Sequence, residues 1–297
     1  MGYRTRRQLV DILVHTLLII IVIFSMFPII WMCMIALKGA GESVSGFNSL
    51  ILKNPSLGNL KRLFELLPNF WKNFYNSVFT TFFGTVTSLF FCSLAGFAFA
   101  KYKFPGNKTL FYFCVATMLI PPEVGSIPMF LVMRKMELIN SLWSLVIPRM
   151  ATAIGIFYMR QYIMDVPDEI IESARIDGCH DFKIYTSIVM PIIKPALASW
   201  GILTVIARWN DFFWPLLYLR KQTKYTLIVT ISLIFLRKSE KYTLMVAITM
   251  LPFSEGMSTP WPVTMAGTAL ATLPVIIIFI VLQAFMKDGL TLGAVKG

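Results

Sequence analysis

"EIIESARIDGCHDFKIYTSIVMP", residues 169–191, interrupts a chain that is otherwise mostly apolar. Four of the chain's fifteen acidic residues fall within thirteen positions of it, with a glycine in the middle and a proline at the end. Its local reading is two short amphipathic helices. Asp165 is expected to cap the first, with Val166, Pro167 and Asp168 in an opening turn whose N–H groups have no helical partner, so that proline is tolerated. Ile170, Ile171 and Ala174 then share one face. Gly178 is expected to end the helix in a left-handed turn. A second helix from His180 or Asp181 places Phe182, Tyr185, Ile188 and Val189 on one side. Pro191 is expected to disfavour helix at Met190 and turn the chain away. One surface packs inward while Glu169, Glu172, Arg175 and Asp177 face out. Local features alone suit a docking element and a solvated polar loop equally.

Working outward, the 297 residues are 57% hydrophobic and only 14% charged, with a mean hydropathy of +0.70. Soluble domains carry about 25% charge, so the composition describes a membrane protein. A spanning helix needs about 20 apolar residues. Six stretches qualify: 12–36, 74–100, 110–132, 142–164, 195–219 and 266–286. The third is interrupted by "PPEVGSIP". A shorter run, 242–251, reads as an external or re-entrant helix. The expectation is one all-α polytopic domain over 1–297, with the polar loop at about 165–191. The first run lacks a small-residue cleavage site, so no cleavable signal is expected. Six spans put both termini on one side. The basic residues Arg4, Arg6 and Arg7, and the lysines of "KYKFPGNK" (101–108), favour a cytoplasmic N-terminus. Arg220, Lys221, Lys224, Arg237, Lys238 and Lys241 would then lie outside, so charge alone does not settle orientation.

Several functions find no support. The four cysteines lack CxxC spacing and there are two histidines, so neither a disulfide framework nor a metal site is expected. No GxxxxGK[ST] occurs, so the chain does not bind ATP through such a loop. No GxSxG or HExxH suggests catalysis, and no catalytic residue is assigned. The net charge of +12 comes without aromatic-interleaved basic runs, so lipid rather than nucleic acid is the expected contact.

The polar stretch resembles the EAA loop of ABC importer permeases: E-A-A, two residues, D-G, then nine residues before I-x-L-P. Here the match is Glu172-Ser173-Ala174, Asp177-Gly178 and Ile188-Val189-Met190-Pro191, with Ser173 and Met190 as size-conserving departures. "NSVFTTFFGTVTSLFFCSLAGFAFAKYKFPG" (76–106) and "MLIPPEVGSIPMFLVMRKMELINSLWSLVIP" (118–148) are similar to the second and third helices of sugar permeases. "ARWNDFFWPLLYL" (207–219) carries W-N-[DE]-F-x-x-P, and "GLTLGAVKG" (289–297) resembles their tail. The chain therefore looks like the shorter permease subunit of a maltose-type carbohydrate importer. The resemblance implies a longer homologous permease as heterodimer partner, two ABC ATPase subunits carrying ATP and Mg, and an extracytoplasmic solute-binding protein. It implies no cofactor on this chain, and a bacterial cytoplasmic (inner) membrane location with both termini inside. It places Glu172, Ser173, Ala174, Asp177, Gly178 and Pro191 in the coupling loop, with Glu172 meeting a basic ATPase residue. Gly289, Gly293 and Lys296 would reach toward the ATPase interface.

Four residues are candidates for the translocation path: Glu123, Arg208, Asn210 and Asp211. Ionisable residues within spans are costly and suggest function by default. Glu123 sits beside Pro121 and Pro122, at a gate or near a boundary. Arg208 departs from the family pattern, in which the residue before W-N is uncharged. It could meet an anionic substrate or pair with Asp211 at i, i+3 to fix packing. The basic loop at 220–241 could steer an acidic, uronate-type oligosaccharide or be merely solvated. Trp71, Trp209, Trp214 and Trp261 are expected at interfaces. A secondary transporter, an intramembrane enzyme and a permease for another solute are the rival readings.

Overall fold

The computed structural model describes residues 3–39, 41–236 and 261–294. All regular structure in them is helical. Lys296, the run 242–251 and the basic residues Arg237, Lys238 and Lys241 lie outside the described residues. Two compact units are present. One comprises residues 1–68 and 231–273, the other residues 69–230 and 274–297.

In the first unit, α1 (Tyr3–Ala36) is followed by a loop and by α2 (Gly58–Leu66). The α1 flank is apolar and exposed, as a lipid-facing span requires. Buried Lys38 ties the loop together. Its Nζ donates to the carbonyls of Asn48 (2.9 Å) and Ile51 (2.8 Å) and lies 3.6 Å from Glu42. Glu42 in turn accepts from the backbone N–H of Asn54, Lys53 and Gly39, and these donors, Asn54 first, hold its carboxyl below the usual range.

The second unit is built on α3 (Phe70–Lys101). Apart from Phe70 and Phe97 near its ends, its buried face is small or polar, as at Asn73, Asn76, Ser77, Thr80, Gly84, Ser88, Cys92, Ser93 and Gly96. Large side chains such as Phe82 and Val86 point outward. Lipid tails are as apolar as leucine, so spanning helices associate by close packing rather than by hydrophobic sorting. A Cβ on Gly96 would lie 2.8 Å from Met159 Cβ, and one on Gly155 would lie 2.6 Å from Cys92 Sγ. These glycines let α3 meet α7 (Ala153–Met164) backbone to backbone.

Each of the six predicted apolar stretches is helical, but three are broken. The third is α4 (Asn107–Ala116), 3-10 turns, and α5 (Ser126–Lys135), with a 96° bend at Pro121–Pro122. The fourth is α6 (Trp143–Val146), a 3-10 turn containing Pro148, and α7, whose N-cap Thr152 accepts from Gly155 N–H. The fifth, α11 (Lys194–Trp209), stops at Asn210 before the short α12 (Phe213–Tyr218), and α13 (Leu227–Leu236) follows. The last helix, α14 (Trp261–Ala294), continues through Gly289 and Gly293. Among the described residues three helices are long and apolar enough to cross a membrane, or five if each bent pair is one span.

Candidate functional site

The polar stretch forms α8 (Asp168–Ile176) and α9 (Asp181–Ile184), then a π turn over Tyr185–Val189 and α10 (Met190–Ile192). Asp165 does not cap α8. It is the C-cap of α7, and Pro167 sets the start of α8. The expected end is present: Gly178 N–H donates to Arg175 O and Cys179 N–H to Ala174 O, both at 3.0 Å, with Gly178 at φ +79°. This pair of bonds is a Schellman cap, and it needs a left-handed residue. The His180 side chain caps α9 by accepting from Lys183 N–H. Pro191 does not end the helix. A π turn precedes it, closed by Met190 N–H on Tyr185 O, and the chain turns only at Ile193, by 81°.

Ile171, Ala174, Ile184, Tyr185 and Val189 are buried in one cluster with Phe97, Met159 and Ile163. Two residues expected on the inner face, Ile170 and Phe182, are exposed, and Ile184 takes the inner place instead. Glu169, Glu172, Ser173 and Asp177 are exposed, and Glu172 makes no ion pair among the described residues. Sequence reasoning passed over Ile176, which is 86% exposed four residues beyond Glu172 on the same helix face. An apolar side chain at i+4 from the motif glutamate was the available signal.

Three attachments fasten this element to the end of α3. Lys101 Nζ donates to Asp168 Oδ1 at 2.7 Å and to the Val166 and Met164 carbonyls. The Lys101 ammonium holds the Asp168 carboxyl below the usual range. Arg175 lies 5.3 Å above the Tyr102 ring and contacts Asp181. Tyr185 Oη and Ser93 Oγ are hydrogen-bonded at 2.7 Å, and Tyr185 also donates to Phe90 O.

The far end of α3 holds a second set. Asn73 Nδ2 donates to the Gln222 and Tyr225 carbonyls and Asn76 Nδ2 to those of Thr223 and Tyr225, while Ser77 Oγ accepts from Leu227 N–H. Asn73 and Lys101 are roughly 40 Å apart along a straight helix, against about 30 Å for a bilayer core. The polar loop and the segment around 220–227 therefore belong to opposite membrane faces.

Between these ends lies Arg208, 8% exposed. It does not pair with Asp211. Its Nη1 donates to Leu145 O and its Nη2 to Arg149 O, both at 2.6 Å. Asp211 pairs with Arg149 and caps α12 through Trp214 N–H. The helix ends at Asn210, so the i, i+3 geometry is lost. The guanidinium thus serves carbonyls released where the fourth stretch breaks. It lies against Gly84, where a Cβ would stand 3.2 Å from it. Asn210 is exposed and bonds back to Ile206 O. Glu123 is exposed at the 96° bend. Of the expected interfacial tryptophans, Trp71 and Trp261 are exposed, whereas Trp209 is buried against Phe74.

Bent helices long and apolar enough to span a bilayer, with an outward-facing helix pair, define a polytopic α-helical membrane protein. The chain belongs to the family of binding-protein-dependent transport system inner membrane components, whose pattern matches residues 89–291. It is 32% identical over 274 residues to the arabinooligosaccharides transport system permease protein AraQ of Bacillus subtilis (strain 168), covering 92% of this chain and 91% of that one. It is 29% identical over 293 residues to that organism's polygalacturonan/rhamnogalacturonan transport system permease protein YtcP, covering 98% and 100%. A crystal structure of a bacterial ABC transporter involved in the import of the acidic polysaccharide alginate contains a chain of similar fold, with a TM-score of 0.77, 28% identity, and 96% and 98% coverage. The protein is an inner-membrane permease subunit of a carbohydrate ABC importer with the type I permease fold.

Proposed function

We propose that this subunit pairs with a longer homologous permease and is driven by two ATPase subunits, with a binding protein delivering an oligosaccharide from outside. ATP and Mg are held on the ATPases, and this chain carries no catalytic group. Both termini are cytoplasmic, which puts α8 and α9 on the ATPase side. The observation that carries this reading is the exposed helix pair capped at Gly178, with Glu172 unpaired among the described residues and Ile176 bare beside it. Glu172 meets a basic residue in an ATPase groove, and Ile176 fills an apolar part of that groove. Ser173, Ala174, Asp177 and Gly178 set the helix and its end, and Pro191 lies at its exit. Gly289, Gly293 and Lys296 extend the same interface.

Closure of the ATPases displaces α8. Lys101, Tyr102 and Ser93 transmit that displacement to α3, which crosses to the opposite face. Arg208 and Asp211 brace the broken helices, and Asn210 and Glu123 face the path. The test is reconstitution of the complete transporter in proteoliposomes. Charge reversal at Glu172, or Gly178→Pro, abolishes ATP-driven uptake while the binding protein still captures sugar. Uptake on an ion gradient alone, without the ATPases, would overturn the reading in favour of a secondary transporter.

An acidic oligosaccharide is the second reading of substrate. The basic residues Arg134, Lys135, Arg220, Lys221 and Lys224 at the end of the unit remote from α8 favour it.

A further inference from the structure

Arg134 and Arg220 line one cleft of about 280 Å³, together with Phe130 and Ile139. The Arg220 guanidinium lies 5.7 Å from the centre of the Phe130 ring. Neither guanidinium has a hydrogen-bond or ion-pair partner among the described residues. They differ in this from Arg208 and Arg149, whose charges are committed inside the fold.

The base of the cleft is rigid. Phe130 and Ile139 pack on the buried cluster of Met133, Leu145, Tyr218 and Leu219. The backbone around it is over-determined. Asn140 N–H donates to Tyr218 O, and Asn140 Oδ1 accepts from the N–H groups of Arg220 (2.6 Å) and Lys221 (3.2 Å). Glu137 and Asn140 have φ of 58° and 62°, a left-handed conformation that asparagine tolerates and that is uncommon for glutamate. Asn73 and Asn76 fix the chain just beyond Arg220. Within 134–149 and 211–226 the acids are Glu137 and Asp211, the latter paired with Arg149, against Arg134, Lys135, Arg220, Lys221 and Lys224, so the cleft stands in a positive field.

We infer that Arg134 and Arg220 form an entry site for the carboxylate of an acidic saccharide, with Phe130 under the sugar ring. A guanidinium matches a carboxylate through two parallel hydrogen bonds. The volume suits one ring-sized group rather than a protein face, and lies near the lower end of small-molecule sites. The cleft lies on the face opposite α8, where substrate arrives. This inference rests on the carbohydrate-import reading above.

The test uses the complete transporter in proteoliposomes with three probes: trigalacturonate, its methyl ester, and a neutral arabino-oligosaccharide. Arg134→Gln with Arg220→Gln lowers trigalacturonate uptake about tenfold and leaves the other two unchanged. Lysine at both positions restores part of the loss, because charge returns without the paired geometry. Uptake of trigalacturonate by the parent protein falls as ionic strength rises. If the parent takes up only the neutral probe, the carboxylate site is overturned and the import reading stands. If the parent takes up none of the three, the carbohydrate reading itself falls and takes this site with it. An equal loss for every probe, accompanied by a higher binding-protein concentration for half-maximal ATPase stimulation, would overturn the site and make the cleft a docking point for the binding protein.

Discussion

The two polar interruptions of the second unit treat charge in opposite ways. Around Arg208 the charges are buried and used up: a guanidinium on two carbonyls, and Asp211 on Arg149. Along α8, Glu169 and Glu172 are exposed and make no ion pair among the described residues. A charge placed in the membrane must be satisfied from within, because no water can do it. A charge at the aqueous face can be left for a partner. The first region is read as a brace, the second as a contact.

The comparison breaks most visibly at the contact. Gly178→Pro removes the N–H that bonds Arg175 O and cannot adopt φ +79°. Uptake should fall below detection, with a drop in the thermal midpoint of the purified subunit pair smaller than that of Arg208→Ala. A large fall in that midpoint would place α8 with the brace instead. Next in size is Arg208→Ala, which leaves carbonyls without donors and costs about 2–4 kcal/mol. The midpoint should drop and the yield of assembled transporter should fall, with substrate selectivity unchanged. A shift in selectivity at normal stability would return Arg208 to the translocation path.

Smaller effects sharpen the link between the regions. Lys101→Ala cuts one of three attachments of α8 to α3, so uptake should fall several-fold while binding-protein-stimulated ATP hydrolysis persists. That split between hydrolysis and uptake is the signature of lost transmission, and equal falls would deny it. The smallest effect concerns Asp168. Its folded-state pKa is depressed by Lys101, so its contribution is present above the unfolded carboxylate value of about 3.9 and is lost as pH falls through the folded value. The stability difference between the parent and Asp168→Asn should be flat from pH 6 to 8 and shrink only in strong acid. A difference that grows on acidification would contradict the pairing.

Much of the polar element was legible in the sequence because its determinants are local. Gly178 before a cap, His180 opening the next helix, and Ile171 and Ala174 turned inward all follow from short-range spacing. The errors were local contests decided by packing. Phe182 lies outside although the period allows it in, because Ile184 fills the inner position. Pro191 stays helical, after a π turn. Spacing suggested an Arg208–Asp211 pair, but the helix stops at Asn210 and the two charges find separate partners.

The sequence by itself determined that the chain is a helical membrane protein, that its family is that of sugar-importer permeases, and that a polar helix pair interrupts its apolar runs. Composition, run length and an ordered series of motifs are properties of the chain alone. Only the tertiary structure decided which charges are spent and which remain available. Arg149, Arg208, Arg134 and Arg220 are one residue type in one stretch of chain. Arg208 is buried on the carbonyls of a broken helix and Arg149 is paired with Asp211, whereas a rigid turn at the surface leaves the other two open. Those partners lie about sixty to eighty residues away in sequence, where no local pattern reaches.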